Sequence, residues 1–221
     1  SFGSIRSTNK LQLDNIQVTT RIASQSISSN LHLLTERIYN ISTDAELTDD
    51  SLSKKDKAAY LQDFEQEIEF VWLSVYDADG KKLYGDKTAP DSIADTKYYS
   101  QLAETANTVI GEPHYDQDVL QLCVGAPLKA NDEVCGYVIG SYKYDLLNDV
   151  LSMLILGDTG SACIINEKGT IIADQDEKNI ADQVSIYDKN SSSKNKEIYD
   201  RILSYQTGSV TMKLHGVSHY V

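Results

Sequence analysis

Two similar stretches decide the fold of this chain: SVYDADGKKLYGD at residues 74–86 and SACIINEKGTIIAD at residues 161–174. In each, a β-rich run meets a polar turn that ends in glycine, and a second short β-rich run follows, which predicts a hairpin. The turn glycines, Gly80 and Gly169, lie 169 − 80 = 89 residues apart. The sequence therefore predicts an internal repeat of one sheet module.

The first copy continues into further predicted elements. The run FVWLSVY at 70–76 opens it, and the segment DTKYYSQLAET, which follows Pro90, predicts a short helix. Three strands are then predicted, near residues 108–113, 119–128 and 133–144. A hairpin, a helical connection and three more strands predict an antiparallel sheet that carries helices on one side. The run LLNDVLSMLIL closes this module as a helix.

The second copy has fewer predicted strands. A helix, NKEIYDRILSY, follows its first hairpin, and GSVTMKL then leads through the His215-Gly216 turn to VSHYV. In the first copy, 16 residues separate Gly111 from Pro127, and the same count from Gly208 ends at about position 224, past the last residue. We therefore expect the second module to lack its closing strands and the sequence to be a fragment of a longer chain.

The N-terminal stretch from Ser4 to Asp44 contains no proline or glycine and predicts one long helix. Its apolar and small residues recur at alternating spacings of four and three, which is typical of a heptad seam. This seam consists of Ile16, Thr20, Ala23, Ile27, Leu31, Leu34, Ile38 and Ile41. Two interpretations stay open: the helix packs on its own domain, or it pairs with a parallel partner helix or forms a rod along a longer protein.

A second helix is predicted after Ser53, because Asp56 follows it at the spacing of a capping box. Leu61, Phe64 and Ile68 then recur on one helix face.

Charge and composition exclude several classes of partner. The sequence has 20 Lys plus Arg against 33 Asp plus Glu, a net charge of −13. Nucleic acid and anionic lipid are poor partners for such a chain, because phosphate contacts require clustered cations. No run approaches the ~18 consecutive apolar residues of a membrane span, and the N-terminus lacks the regions of a signal peptide.

The three cysteines, Cys123, Cys135 and Cys163, are too few for a disulfide framework. A hairpin centred on KANDE would place Cys123 opposite Ile139 and Cys135 opposite Pro127, too far apart to bridge. We interpret all three as small buried apolar residues.

No motif supports catalysis or a cofactor. The sequence contains no G-x-S-x-G, P-loop or dinucleotide fingerprint, and its carboxylates show no catalytic pairing. His215 and His219 are four residues apart, but a turn lies between them, so they are a weak zinc signal. The acidic turn at 77–80 lacks the downstream Glu of a calcium loop. We expect no enzyme activity, no cofactor and no metal.

Several segments together resemble the double Cache sensor domain of bacterial transmembrane receptors, in which two PAS-like modules stand on one long helix. The resemblance is carried most specifically by LGDTGSACIINEKGTIIADQD at 156–176. The long helix, DTKYYSQL, GEPHYDQD and GYVIGSYKYDLLNDVL add to it. It implies an α+β fold: a long N-terminal helix at 1–44, a membrane-distal, ligand-binding Cache module at 45–157, and a C-terminally truncated membrane-proximal module at 158–221.

The resemblance also implies the setting of the domain. Such receptors carry a membrane helix on each side of the sensor and a cytoplasmic output module for chemotaxis, histidine kinase or diguanylate cyclase signalling. The chain would then face the cell exterior, anchored at the cell membrane in the full-length protein, and would form a homodimer through the N-terminal helix.

Relatives that bind amino acids carry an Arg, an aromatic pair, a Tyr and an Asp around the ligand. The aromatic pair matches Tyr98 and Tyr99, and the later Tyr matches Tyr115, which Asp116 follows.

Two positions of this chain depart from that pattern. Thr96, next to Lys97, stands where the carboxylate-binding Arg is expected, and Tyr142 stands where the ammonium-binding Asp is expected. A free amino acid needs both of its charges met in a desolvated site. The tyrosines favour a neutral or partly apolar ligand instead, because a phenol offers a flat apolar face and one hydrogen-bonding tip.

Trp72 lies on the strand that opens the module and is interpreted as core or as a wall of the ligand site. Tyr142 and Tyr144 share one face of their strand and Tyr137 takes the other, so at most one set can line a ligand site. The candidate ligand-binding residues are Trp72, Lys97, Tyr98, Tyr99, Tyr115, Asp116 and Tyr142.

Two functional hypotheses follow from the sequence. The first is an extracellular domain that senses a small molecule and transmits its binding across the membrane. The alternative is an ectodomain for dimerisation or protein interaction without a small-molecule ligand.

Overall fold

The computed structural model describes residues 25–67, 70–116, 118–145, 163–166, 168–189, 193–204, 211–214 and 217–220. The chain divides into two compact units. One unit is Ser28–Leu146, and the other combines Ser1–Ile27 with Leu147–Val221. The domain bounds given above stay predictions.

The first unit is built on a six-stranded antiparallel sheet with the strand order β2-β1-β6-β5-β3, to which β4 adds by pairing with β5. The predicted hairpin, connecting helix and later strands are confirmed. The strands are β1 (Phe70–Asp77), β2 (Lys82–Gly85), β3 (Val109–Ile110), β4 (His114–Asp116), β5 (Val119–Ala130) and β6 (Glu133–Lys143). The helices are α1 (residues 25–42), α2 (Ala45–Thr48), α3 (Lys54–Glu67) and α4 (Lys97–Thr105).

Helix α1 confirms the heptad seam over its described length. Ile27, Leu34, Ile38 and Ile41 are buried, and Leu31 is half-buried. The part of the predicted helix before residue 25 lies outside the described residues, as does the predicted helix at 146–156.

Helix α3 begins with the predicted capping box. Ser53 Oγ accepts the amide of Asp56 at 3.2 Å, and Asp56 Oδ2 accepts the amide of Ser53 at 3.2 Å. Two amide donors that the first helical turn leaves without partners are thereby satisfied.

Strand alternation gives the sheet two faces, and α4 packs against one of them, here called the α4 face. Trp72 on β1 pairs with Ser141 on β6, which pairs with Cys123 on β5, so these three side chains share a face. Trp72 and Cys123 belong to one core cluster with Tyr98 and Leu102 of α4.

The opposite face, here called the α1 face, packs against the N-terminal helix. A methyl group at Gly140 would lie 2.6 Å from Ile38 Cδ1 and 2.5 Å from Phe70 Cε1, so the glycine lets both side chains pack closely on β6. Phe70 and Tyr142 also meet on this face, with ring centroids 4.7 Å apart.

The cysteine predictions were correct for one residue of three. Cys123 is buried, but Cys135 and Cys163 are exposed. Cys123 lies opposite Ser141 rather than Ile139, and Pro127 lies opposite Tyr137 rather than Cys135. The register differs because the turn comprises two residues at positive φ, 131 and 132, and because a bulge follows Leu128, which leaves Cys135 unpaired between Val134 and Gly136.

The second unit repeats the opening hairpin, as predicted. Strand β7 (Cys163–Ile165) pairs with β8 (Ile171–Asp174), and β9 (Thr211–Leu214) pairs with β10 (Val217–Tyr220). Its helices are α5 (Glu177–Ala181), α6 (Ile186–Lys189) and α7 (Ser193–Leu203). The described residues therefore combine helices with antiparallel strands, the predicted α+β fold. That the second module lacks closing strands stays a prediction.

Candidate ligand-binding site

The core cluster of the α4 face brings together three of the seven candidate residues. Trp72 and Tyr98 are buried in its core cluster, and Tyr99 packs against that cluster half-buried. Thr96 caps α4 by accepting the amide of Tyr99 at 3.3 Å, which sets where Tyr98 and Tyr99 enter the helix.

Further tyrosines extend this aromatic lining. Tyr76 and Tyr137 are buried in the same cluster, and Tyr99 meets Tyr137 edge-to-face with centroids 5.8 Å apart. The hydroxyl of Tyr76 donates to the carbonyl of Pro90 at 2.8 Å, and that of Tyr99 donates to the carbonyl of Ala78 at 2.9 Å. These two hydroxyl groups therefore anchor neighbouring loops to the aromatic lining.

A chain of buried polar groups crosses the same face. The Cys123 side chain lies opposite Ser141 on β6 and belongs to the same core cluster as Tyr98. Ser141 Oγ donates to Gln121 Oε1 at 2.6 Å, and Gln121 Nε2 donates to the carbonyl of Asp116 at 3.1 Å. Burial raises the pKa of Cys123 to about 11, so this thiol is neutral near pH 7. The groups in the chain satisfy one another.

Two polar atoms on the α4 face have no such partner. Trp72 Nε1 and Ser74 Oγ are buried and make no hydrogen bond to any described residue. Ser74 pairs with Ile139, so it shares the face of Trp72 two positions along β1. Buried polar groups are nearly always hydrogen-bonded, which makes this pair the best candidate for contact with a ligand.

The buried part of this face is free of formal charge. The buried polar or charged side chains of the described residues are Ser42, Ser74, Gln121 and Ser141, none of which is ionisable. Among the fully buried side chains of this face, a charged ligand group would find no opposite charge to offset its lost hydration. The partly buried cation Lys82, which pairs with Tyr76, is already engaged by the carbonyl of Ala89 at 2.6 Å and by Asp91 at 3.2 Å.

Lys97 lies away from this cluster. Its ammonium group pairs with Glu112 Oε2 at 3.0 Å, and its side chain is 77% exposed. As the first residue of α4, it points outward while the next residue, Tyr98, points into the core.

Strand β4 holds the next two candidates. Tyr115 pairs with Leu120, which places it on the α1 side of the sheet, and it is 47% exposed. Asp116 is half-buried and pairs with Val119, and its carbonyl oxygen accepts from Gln121. Asp116 therefore lies on the α4 side of the sheet, with a half-buried carboxylate at the end of β4.

Tyr142 also lies on the α1 face, away from the candidates in the α4 core cluster. It stacks on Phe70, and its hydroxyl has no hydrogen-bond partner among the described residues. Burial raises the pKa of Tyr142, and the nearby Arg37 opposes that rise. The predicted alternation is confirmed, since Tyr137 occupies the α4 face and Tyr142 the other.

Sequence reasoning missed Ser74, Gln121 and Ser141 as candidates. Each is a polar residue inside an otherwise apolar strand: FVWLSVY, VLQLCV and VIGSYK. A lone polar residue at a buried strand position needs a partner, and this signal could have identified all three.

The described residues contain no group of three or more His, Cys, Asp or Glu side chains arranged for a metal. His215 lies outside the described residues, and the side chain of His219 is not described. No helix in the described part of the chain combines the length and apolarity needed to cross a membrane.

Comparison with protein families finds a match to a model described as Cache domain over residues 4–221. A comparison with curated proteins finds no significant match.

Solved structures similar to this chain come from sensory proteins. The ligand-binding domain of the Pseudomonas aeruginosa PAO1 chemoreceptor PctB in complex with L-Arg has a TM-score of 0.68 and 17% identity, covering 94% of this chain and 85% of that one. The sensory domain of the Campylobacter jejuni chemoreceptor Tlp3 has a TM-score of 0.66 and 14% identity, with coverages of 98% and 88%. An extracellular domain assigned to a histidine kinase, mmHK1S-Z2, has a TM-score of 0.69 and 17% identity, with coverages of 90% and 86%. At these identities the likeness concerns the fold.

Proposed function

The chain belongs to the Cache domain family, and from this premise we propose that it is the extracellular small-molecule-sensing domain of a bacterial membrane receptor. In this proposal the receptor is anchored in the cell membrane, pairs through its N-terminal helix, and passes ligand binding to a cytoplasmic output module. The sensing domain itself catalyses no reaction.

The observation that carries the proposal is the pair of unpartnered buried polar atoms on the α4 face. Trp72 Nε1 and Ser74 Oγ lie in an otherwise apolar and aromatic core between α4 and the sheet. Small-molecule sites commonly combine a mostly apolar lining with a few polar groups that orient the ligand.

The ligand in this proposal is neutral or partly apolar. The described part of the α4 face offers no buried cation to a carboxylate and no buried carboxylate to an ammonium. Lys97, the nearest cation to the aromatic pair in sequence, is exposed and already paired with Glu112. The PctB domain binds L-Arg, and we propose a different ligand chemistry for this chain.

Strand β6 offers a route for the signal. Ser141 faces the α4 side, while its neighbours Gly140 and Tyr142 face α1, where Gly140 lies against Ile38. A ligand that shifts Ser141 would therefore move the surface on which α1 packs. The shift is limited by the difference in ligand affinity between the two arrangements.

A thermal-shift screen with small metabolites, grouped by charge, tests the proposal. We expect neutral compounds of one chemical class to raise the melting temperature, and Tyr98→Ala to abolish that rise. Tyr115→Ala is the matched control: it removes the same side chain from an exposed position on the α1 side and should leave the rise intact. Absence of stabilisation by any compound would favour a dimerisation or protein-interaction ectodomain.

A further inference from the structure

The two unpartnered atoms on the α4 face specify the chemistry of a ligand more narrowly than burial alone. Trp72 is 2% exposed and Ser74 is 0% exposed, and neither Trp72 Nε1 nor Ser74 Oγ bonds to a described residue. An indole N–H only donates, whereas a serine hydroxyl both donates and accepts. The group that complements both is an acceptor oxygen.

Neighbouring protein groups are engaged elsewhere. Ser141, opposite Trp72 on β6, donates its hydroxyl proton to Gln121 Oε1 at 2.6 Å. Gln121 Nε2 donates to the carbonyl of Asp116 at 3.1 Å, so the other terminal atom of this side chain, which Ser141 contacts, is the oxygen. On the α4 face, the polar side chains of β5 and β6 are therefore hydrogen-bonded, and the described buried polar atoms without a partner both lie on β1.

The absence of charge among the buried residues limits further which acceptor group of a ligand can bind here. A carboxylate would bring a negative charge into a face whose buried described residues include no cation. An ammonium group only donates, so it cannot accept from the indole N–H of Trp72. A carbonyl oxygen accepts two hydrogen bonds without carrying a formal charge. The surrounding Ile93, Leu102 and Ile139 are apolar and fully buried, which suits a hydrocarbon body attached to that carbonyl.

We propose that this site binds a neutral amide, ester or ketone with an apolar body, whose carbonyl oxygen accepts hydrogen bonds from Trp72 Nε1 and Ser74 Oγ. The inference rests on the proposed function, since it presupposes that a small molecule binds on the α4 face. It adds the functional group of the ligand and two residues that bind it.

Trp72 is the only tryptophan of the sequence, so its indole N–H gives a single proton–nitrogen NMR signal that reports on this atom directly. The probes share an isobutyl group: isovaleramide is neutral, isovalerate anionic, isopentylammonium cationic, and leucine zwitterionic. N-acetyl-leucinamide adds a larger neutral member. We expect the two neutral amides to move the indole signal downfield and the charged compounds to leave it in place. An unmoved signal with both amides, or a larger shift with isovalerate or leucine, overturns the inference.

A matched pair of serine variants tests the second contact. Ser74→Ala removes a hydroxyl that has no described partner, so the melting temperature should not fall, while affinity for the responding amide falls about tenfold, as expected for one lost hydrogen bond. Ser141→Ala removes a hydroxyl of equal size that Gln121 Oε1 already uses, so it should lower the melting temperature. If Ser74→Ala lowers the melting temperature as much as Ser141→Ala, Ser74 already has a partner, such as a bound water molecule, and the inference fails.

The experiments separate this inference from the proposed function. If the thermal-shift screen finds a charged ligand whose effect Tyr98→Ala abolishes, the sensing function stands and the carbonyl inference is wrong. If no small molecule binds the α4 face by either method, the proposed function fails, and the inference fails with it.

Discussion

Both units of the chain contain the same hairpin turn, but they differ in the buried side chains that pack around it. In the first turn, the side chain of Asp77 accepts the amides of Asp79 and Lys81 at 3.0 and 2.8 Å. In the second turn, Asn166 accepts the amides of Lys168 and Thr170 at 2.9 and 3.1 Å. Each pair of positions lies 89 residues apart, the spacing of the turn glycines.

The backbone hydrogen bonds of the two turns also correspond. Gly80 donates to the carbonyl of Asp77 and accepts from Ile93, and Gly169 donates to Asn166 and accepts from Ile186. The sequence therefore specifies the same turn, with the same hydrogen bonds, twice.

The packed residues around the two turns differ. The first unit buries Ser74, Gln121 and Ser141 among its apolar core residues. The buried described side chains of the second unit from residue 163 onward are all apolar or aromatic: Ile171, Ala173, Ile180, Ile186, Ile198 and Tyr199. Among the described residues, both copies therefore contain the same turn, but only the first buries polar side chains within its strands, and our proposal assigns ligand binding to that difference.

The largest contrast we predict is in cysteine reactivity. Cys135 in the first unit and Cys163 in the second are exposed, whereas Cys123 is buried with its pKa raised to about 11. Relative to an ordinary thiol of pKa 9.0, Cys123 should contain ~100-fold less thiolate at neutral pH, and burial slows its reaction further. Its alkylation rate should rise about tenfold per pH unit up to its pKa.

Mass spectrometry after a short exposure to iodoacetamide measures this difference. Two thiols should react early and one late, with peptide mapping placing the late one at Cys123. Unfolding in denaturant is the control, since all three should then react alike. Equal reactivity of Cys123 and Cys135 in the folded protein would contradict the burial of the polar chain on the α4 face.

Much of the fold could be predicted from the sequence, because the sequence signals for its helices and turns are local. The capping box of Ser53 and Asp56, the seam of α1 and the turn glycines depend on residues a few positions apart. The position of the bulge after Leu128 could not be predicted, and it displaced the expected partners of Cys123 and Cys135. A bulge depends on how two whole strands fit together, which no local spacing encodes.

The candidate site was predicted only in part for a related reason. Alternation separated Tyr137 from Tyr142 correctly, but it could not tell which face α4 covers. Lys97 is a candidate because it lies one residue from the position expected for the carboxylate-binding Arg, yet one step along a helix rotates a side chain by about 100°, and Lys97 points to solvent. Ser74 was overlooked because its missing partner is apparent only in three dimensions.

The turn glycines should respond to substitution to different extents. Gly80 has φ +79° and Gly169 has φ +80°, so alanine at either position should cost about 1–2 kcal/mol of unfolding free energy through backbone strain. At Gly80 the new methyl would also lie 3.1 Å from the backbone nitrogen of Ala94. At Gly169 it would meet side-chain atoms of Ile186 and Tyr187 at 3.2 and 3.3 Å, which can move.

We therefore expect Gly80→Ala to be the more destabilising of the pair, as measured by urea unfolding of each variant with a probe in its own unit. Tyr99 lies against Gly80, so Gly80→Ala should also weaken ligand binding, whereas Gly169→Ala should not. Equal losses of stability, or weakened binding in both variants, would contradict the assignment of the ligand site to the turn of the first unit alone.

The smallest changes in unfolding free energy should come from Asp77 and Asn166, the side chains that accept backbone amides within each turn. Asp77→Ala and Asn166→Ala each leave two turn amides without their side-chain acceptor. Because three of these amides are exposed to water and that of Thr170 is only part-buried, each loss should stay near about 1 kcal/mol. The exchanges Asp77→Asn and Asn166→Asp keep an acceptor oxygen at the same place, so they should change the unfolding free energy by less than about 0.5 kcal/mol. Urea unfolding of the four variants measures both differences. If an Asp/Asn exchange costs as much as alanine at the same position, the charge of the side chain, rather than the amides it accepts, stabilises that turn. The two turns would then share a conformation but not the interaction that stabilises it.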